Sequence, residues 1–296
     1  MMFSLVILEK ISEMKNDLIV NLQKILKEDL EGDVNMSYLS SIYWIFWRDM
    51  KRYWRSKIGI AVRLIQPIVW LAFVGNIFSS TAVLLESVGF LGSYLDYLTP
   101  GIIIMTVLFT SIFGGFGTLW DRRLGYMNKV LATPISRSSI ALGSVFAISF
   151  ISIIQSLTIV GLSLFLGFQL RTGIIGLLGI VVISMILSLG FGSISIVIGV
   201  KSKTIEAFWG IVNFIGLPLL FVSSALYPTE LMPNWLASIS NLNPLSYAIY
   251  LIRLATSGFS YEPFMMLTSI IFLLLFAVVA LAVASYVFTK EISRPL

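Results

Sequence analysis

TGIIGLLGIVVISMILSLGFGSISIVIGV, residues 172–200, contains no Asp, Glu, Lys or Arg. A helix needs ~20 predominantly apolar residues to cross ~30 Å of hydrocarbon, and this run exceeds that length. Working outward, five more charge-free runs occupy residues 64–85, 97–120, 138–170, 207–229 and 263–289. None alternates polar and apolar residues with the period of two that barrel strands require. In lipid, that leaves the helix as the structure that pairs every backbone N–H and C=O within its own segment. The reading is an all-α, polytopic membrane protein with six transmembrane helices, at about 60–80, 99–120, 139–168, 173–200, 207–226 and 265–289. Composition agrees: 57% of residues are hydrophobic and 12% charged, against about 25% charged in soluble domains.

The charges between these runs set the orientation. Seventeen of the twenty Lys and Arg residues fall on one side: residues 10–57 hold nine, 121–138 four, Lys201 and Lys203 two, and Lys290 and Arg294 the rest. The other side holds Arg171 and Arg253, and Arg63 stands at the inner end of the first span. The positive-inside rule then places both termini in the cytoplasm of a multi-pass protein of the cell membrane. The net charge of +5 follows from this topology, and no nucleic-acid partner is implied. Residues 1–8 are apolar but too short for a span and lack a small-residue cleavage site, so no secretory signal is expected.

There is no cysteine and no histidine, which removes disulfides, thiolate metal sites and the commonest general base. All fifteen acidic residues lie outside the six spans, so proton relays within the membrane have no members. No catalytic residue and no metal ligand is expected. A G-x-x-x-x-G-K-[ST] phosphate loop is absent, so the chain binds no nucleotide cofactor of its own.

Residues 1–35 form a cytosolic extension, in which 8–30 have the spacing of an amphipathic helix; residues 36–296 form the membrane domain. Over 37–57, Leu39, Ile42, Tyr43, Phe46, Met50, Tyr53 and Trp54 fall on one side of a helix. Arg48, Lys51, Arg52 and Arg55 fall on the other, so this helix is expected to lie along the inner surface in contact with lipid. Thr99 and Pro100 suit the cap and first turn of span two. Thr106, Thr110 and Phe113 then share a face that lines a path or packs on a neighbour. Trp209 and Asn213 mark a similar face on span five. Residues 227–264 contain Pro233, Asn234, Asn241, Asn243 and Pro244, all costly in lipid, and are expected outside the membrane as a lid. There Asn243 caps and Pro244 starts a helix through Tyr247. Arg253 either pairs with Glu262 or a lipid phosphate, or is solvated.

The loop DRRLGYMNKVLATPISRS, residues 121–138, joins spans two and three on the cytoplasmic side. A short helix over 126–132 is expected to stop before Pro134, because the residue preceding a proline avoids the helical region. Residues 98–145 resemble the membrane-spanning permeases of type-2 ATP-binding cassette exporters, notably the branch of daunorubicin-resistance and nodulation-factor exporters. Asp121, Arg122, Gly125, Leu131, Ala132, Thr133, Pro134, Arg137 and Gly143 fit that pattern, and Pro228, Pro233, Asn243, Pro244, Tyr247 and Arg253 fit its outer segment. Leu124 and Tyr126 depart from the Glu and Thr common around that glycine.

The resemblance implies a homodimer or pseudo-dimer of permeases carrying two copies of a cytosolic ATPase subunit, which would hold the ATP and magnesium. It also implies that Asp121, Arg122, Arg123, Gly125 and Leu131 to Pro134, with Arg137, couple to that subunit. The cargo implied is hydrophobic or amphipathic, of drug, lipid or glycan type, and its direction is outward. An ATP-independent secondary transporter or channel shares this topology and is the competing expectation.

Overall fold

The structure is a computed structural model that describes residues 38–74, 94–226, 228–257 and 262–292. The expected amphipathic extension, residues 1–35, lies outside the described residues, as do positions 75–80 of the first expected span. Among the described residues there is no strand. In chain order the helices are α1 (Tyr38–Arg55), α2 (Lys57–Val69), continued by a π-helical turn at Trp70–Val74, α3 (Tyr94–Gly114), α4 (Phe116–Arg123), α5 (Tyr126–Leu131) and α6 (Arg137–Phe165). They continue as α7 (Gly173–Lys201), α8 (Ile205–Val222), α9 (Asn234–Ser240), α10 (Pro244–Ser257) and α11 (Pro263–Ile292).

Five helices or near-continuous helix pairs are long and apolar enough to span: α3 with α4, then α6, α7, α8 and α11. The pair α1 and α2, bent by 79° at Ser56, is long and apolar enough when taken together, which brings the candidate spans to as many as six. The apolar side of α1 is divided. Met50, Tyr53 and Phe46 pack on Ala147 and Ile151 of α6, while Leu39, Tyr43 and Trp54 stay exposed, as suits a helix resting between protein and headgroups.

Local chemistry sets several boundaries. Ser136 accepts from Ser139 N to start α6, and Thr204 accepts from Ala207 N to start α8, each satisfying a first-turn donor. Span two differs from expectation: the helix begins at Tyr94, so Pro100 is interior and Thr99 is no cap, its hydroxyl donating to Leu95 O at 2.8 Å. The extra turn is anchored from outside itself. Tyr94 and Tyr97 donate to the carbonyls of Leu226 and Ser224, and neighbouring groups of this kind make an interior proline tolerable in a membrane helix.

α7 is the centre of the bundle and touches α3, α4, α6, α10 and α11. Small residues permit this. A Cβ on Gly115, between α3 and α4, would sit 2.0 Å from Ser195 O, and one on Gly199 would sit 2.3 Å from Gly115 O. Ser195 receives the Gly115 N–H at 2.7 Å, which pins the break between α3 and α4 to α7. Deeper in, Ser111, Ser152 and Ser188 of α3, α6 and α7 form a buried triangle of hydroxyls with sides of 3.2, 2.7 and 3.0 Å. Close small-residue packing with hydroxyl cross-links is what holds helices together where lipid removes the hydrophobic driving force.

In the outer segment the main helix starts where the sequence placed it, at Pro244 behind Asn243. α10 lies against α3, α7 and α11, with Leu245, Ala248, Ile249 and Ile252 fully buried. Its C-terminal end meets the α6–α7 turn, where Thr256 O accepts from Arg171 N. Its N-terminal end reaches Phe272, ten residues into α11, whose ring centre lies 4.5 Å from that of Tyr247. Of the residues costly in lipid, Asn243 is buried against protein, while Pro233, Asn234 and Asn241 are exposed. Asn243 donates to Leu219 O at the end of α8 and accepts from Leu245 N at the start of α10. Arg253 donates to Ser224 O and lies 3.7 Å above the Tyr97 ring.

Candidate functional site

The cytoplasmic turn is built around Gly125, whose φ of 68° is a left-handed conformation and whose Cβ position has nothing within 4 Å. That reversal aims α5 across the inner end of the bundle. Met127 and Val130 are buried in a cluster with Ile140, Val145, Ile196, Val200 and Phe288, drawn from α6, α7 and α11. The opposite side is open: Leu124, Tyr126, Lys129, Ala132, Thr133 and Pro134 are exposed, as are Arg123 and Arg137. Thr133 closes the C-terminal end of α5 by donating to Val130 O at 2.5 Å. The result is a rigidly seated apolar and basic knob.

Asp121 ties this knob to α1. Its carboxylate is buried, with Arg52 Nη2 at 2.7 Å and Arg48 Nη2 at 3.5 Å. Arg48 also holds Asp49 at 2.8 Å and lies 5.7 Å from the Tyr126 ring centre, and Ser144 of α6 donates to Asp49 at 2.8 Å. Three helices and the start of α5 therefore share one charge cluster. Sequence reasoning missed Asp49 and Ser144. Asp49 is the lone acid of an otherwise basic helix, and that was the available signal. Lys51 and Arg55 remain exposed. Arg122 donates to Val200 O and, with Arg123, Lys201 and Lys203, lines a cleft of about 600 Å³ beneath α5.

Two contiguous cavities lie on the membrane side. One, of about 360 Å³, is bounded by α2, α3, α4 and α8 and is lined by Thr106, Thr110, Phe113 and Trp209 together with Arg63 and Gln66. The other, of about 260 Å³, runs from there to Arg48, Arg52 and Trp120 at the inner surface. Both sizes approach those of small-ligand pockets. Thr106 is buried and bonded to Ile102 O, Thr110 donates to Gln155, and the rings of Phe113 and Trp209 meet edge to face at 5.1 Å. Asn213 does not line either cavity; its amide donates to Trp209 O and its side chain is exposed. Arg63 and Gln66, one turn apart on α2, were not singled out in the sequence for this face.

Among the described residues no cluster of three or more Asp or Glu side chains is placed to hold a metal ion. The arrangement is one of packed helices, a bridged knob and an internal cleft.

Residues 40–256 match the family model described as ABC-2 type transporter. The chain is 32% identical over 232 residues to the transport permease ycf38 of Pyropia yezoensis, covering 78% of each chain. It is 25% identical to the inner membrane transport permease YadH of Escherichia coli strain K12, covering 73% of this chain and 83% of that one. It is 23% identical to the daunorubicin resistance ABC transporter permease protein DrrB1 of Streptomyces coeruleorubidus, covering 68% and 70%. With more than half of its residues inside the family model and its helices arranged as a multi-pass membrane bundle, the chain belongs to the ABC-2 type transporter family, as a membrane-embedded permease subunit of an ABC transporter.

Proposed function

We propose that two copies of this permease, joined to two copies of a separate cytosolic ATPase, export a hydrophobic or amphipathic cargo through the cleft between α2, α3 and α8. The observation that carries this reading is the knob at Gly125 to Pro134. It is exposed on the cytoplasmic side while its other side is locked into α6, α7 and α11 and, through Asp121, into α1. A push on that knob moves several spans at once. The ATPase would hold ATP and magnesium, since this chain has no phosphate loop. Coupling then means that the ATP-closed pair of ATPases binds one arrangement of the permeases better than the other.

The test is purification of the tagged permease from its native membrane. A co-purifying ATPase in one-to-one ratio, and ATP-dependent movement of a fluorescent amphiphile in proteoliposomes, is the expected outcome. Gly125→Trp projects into open space and should leave insertion intact while ATP hydrolysis no longer drives transport. Pro134→Leu should behave alike. Transport that proceeds without nucleotide, or is unchanged in both variants, would refute the reading in favour of a secondary transporter.

A further inference from the structure

Arg63 is an exposed cation on α2, at the inner end of the apolar run that follows it. It is the seventh residue of α2, about 10 Å along the helix from the bend at Ser56, and an arginine facing hydrocarbon carries a cost unless something compensates. Among the described residues no carboxylate lies within ion-pair distance of it; its recorded neighbour is the Tyr53 ring, 5.7 Å from the guanidinium carbon. Arg48 and Arg52, by contrast, are already engaged with Asp49 and Asp121. Arg63 lines both membrane-side cavities and stands at their junction. Gln66 adds an amide one turn further on, and beyond it the wall becomes aromatic with Phe109, Phe113 and Trp209.

A cation with an adjoining amide at one end and an aromatic cleft at the other is complementary to an anionic head with an apolar tail. We infer that the cargo of this cleft is an anionic amphiphile that enters from the inner leaflet, its phosphate or carboxylate held by Arg63 and Gln66 and its tail laid along Phe113 and Trp209. The guanidinium can grip such a head with two parallel hydrogen bonds, which a lysine at the same position cannot. This inference rests on reading the cleft as the cargo path.

Binding tests it without ATP or a partner. The purified chain in phosphatidylcholine nanodiscs is titrated with a fluorescent short-chain phosphatidic acid, and with phosphatidylcholine and diacylglycerol probes bearing the same label and tail. Phosphatidic acid should bind about tenfold more tightly than either, as expected for one charge-assisted bidentate contact. Arg63→Gln should abolish that preference, Arg63→Lys should keep part of it, and Lys51→Gln, which is away from both cavities, should leave it whole. Equal binding of the three probes, or a preference that survives Arg63→Gln, overturns the inference. So does displacement by inorganic phosphate as effective as by unlabelled phosphatidic acid, because the apolar wall would then contribute nothing. Binding that is selective while ATP-driven transport fails defeats the exporter reading alone. Transport of neutral and anionic probes at equal rates defeats this inference alone.

Discussion

Gly115 and Gly125 stand ten residues apart and are held by different constraints. At Gly115 the constraint is space, because a methyl group would meet the Ser195 carbonyl oxygen at 2.0 Å. Gly115→Ala should therefore cost more than about 3 kcal/mol, through forced separation of α3 and α7, and appear as loss of folded protein in detergent-solubilised membranes. At Gly125 the constraint is the backbone, with φ 68° and open space around the Cβ position. Gly125→Ala should cost only about 1–2 kcal/mol, the penalty of a left-handed residue, and Gly125→Asn less still. Asp121 yields a second asymmetry. Removing it leaves Arg48 and Arg52 facing each other with Asp49 as the remaining anion, whereas removing Arg52 leaves Asp121 paired with Arg48. Since Arg52 is 47% exposed, its pair with Asp121 is screened and contributes under about 1 kcal/mol. Asp121→Asn should cost roughly 2–3 kcal/mol and Arg52→Gln much less, read from the midpoints of thermal unfolding in the same detergent.

Helix by helix, charge-free length marked most of the spans. α6, α7 and α11 coincide with their runs to within a few residues because nothing but length and apolarity governs them. The short helix at Tyr126 was legible for another reason, the Thr133-Pro134 stop behind it. Where reading failed, the cause was a partner distant in sequence. α3 starts early because Tyr94 and Tyr97 bond carbonyls more than a hundred residues away, and α10 is buried because Asn243 and Arg253 find their partners inside the bundle. The cavity face on α3 was visible as Thr106, Thr110 and Phe113, but Arg63 and Gln66 join it only once the 79° bend places α2 opposite. The serine triangle is equally non-local. Ser188→Ala should cost less than about 1 kcal/mol, since hydrogen bonds between membrane helices average about 0.6 kcal/mol, whereas Ser188→Leu must push α3, α6 and α7 apart and should abolish folding. Comparable losses from the two substitutions in a denaturant titration would show that the triangle acts by bonding and not by size.

For the molecule as a whole, the question is which outer faces meet lipid and which meet a second copy. α8 and α11 are equally peripheral, each with 22% of its apolar window buried. Their exposed faces differ in chemistry. Along α11 the exposed side chains from Leu267 to Val283 are apolar, among them Ile271, Leu275 and Val279, and hydroxyl-bearing Tyr286 and Thr289 come only in its last turns. Along α8 the exposed Ile211, Phe214 and Leu217 are interrupted by Asn213, whose amide nitrogen is satisfied within its own helix while its side chain stays exposed. An exposed amide is costly against hydrocarbon and is accommodated where it meets another polar surface. The α8 face is thus the better seam for the proposed dimer, and a seam there would bring the two clefts at Trp209 toward each other across the axis. The absence of cysteine makes this directly measurable, because a single introduced thiol has no competitor. Asn213→Cys and Phe214→Cys should cross-link into a dimer in native membranes with a short bifunctional maleimide, and Leu275→Cys should not. Cross-linking through Leu275 and not through the α8 positions would place the seam on α11 and leave the α8 cleft open to lipid, where it could not form a shared path.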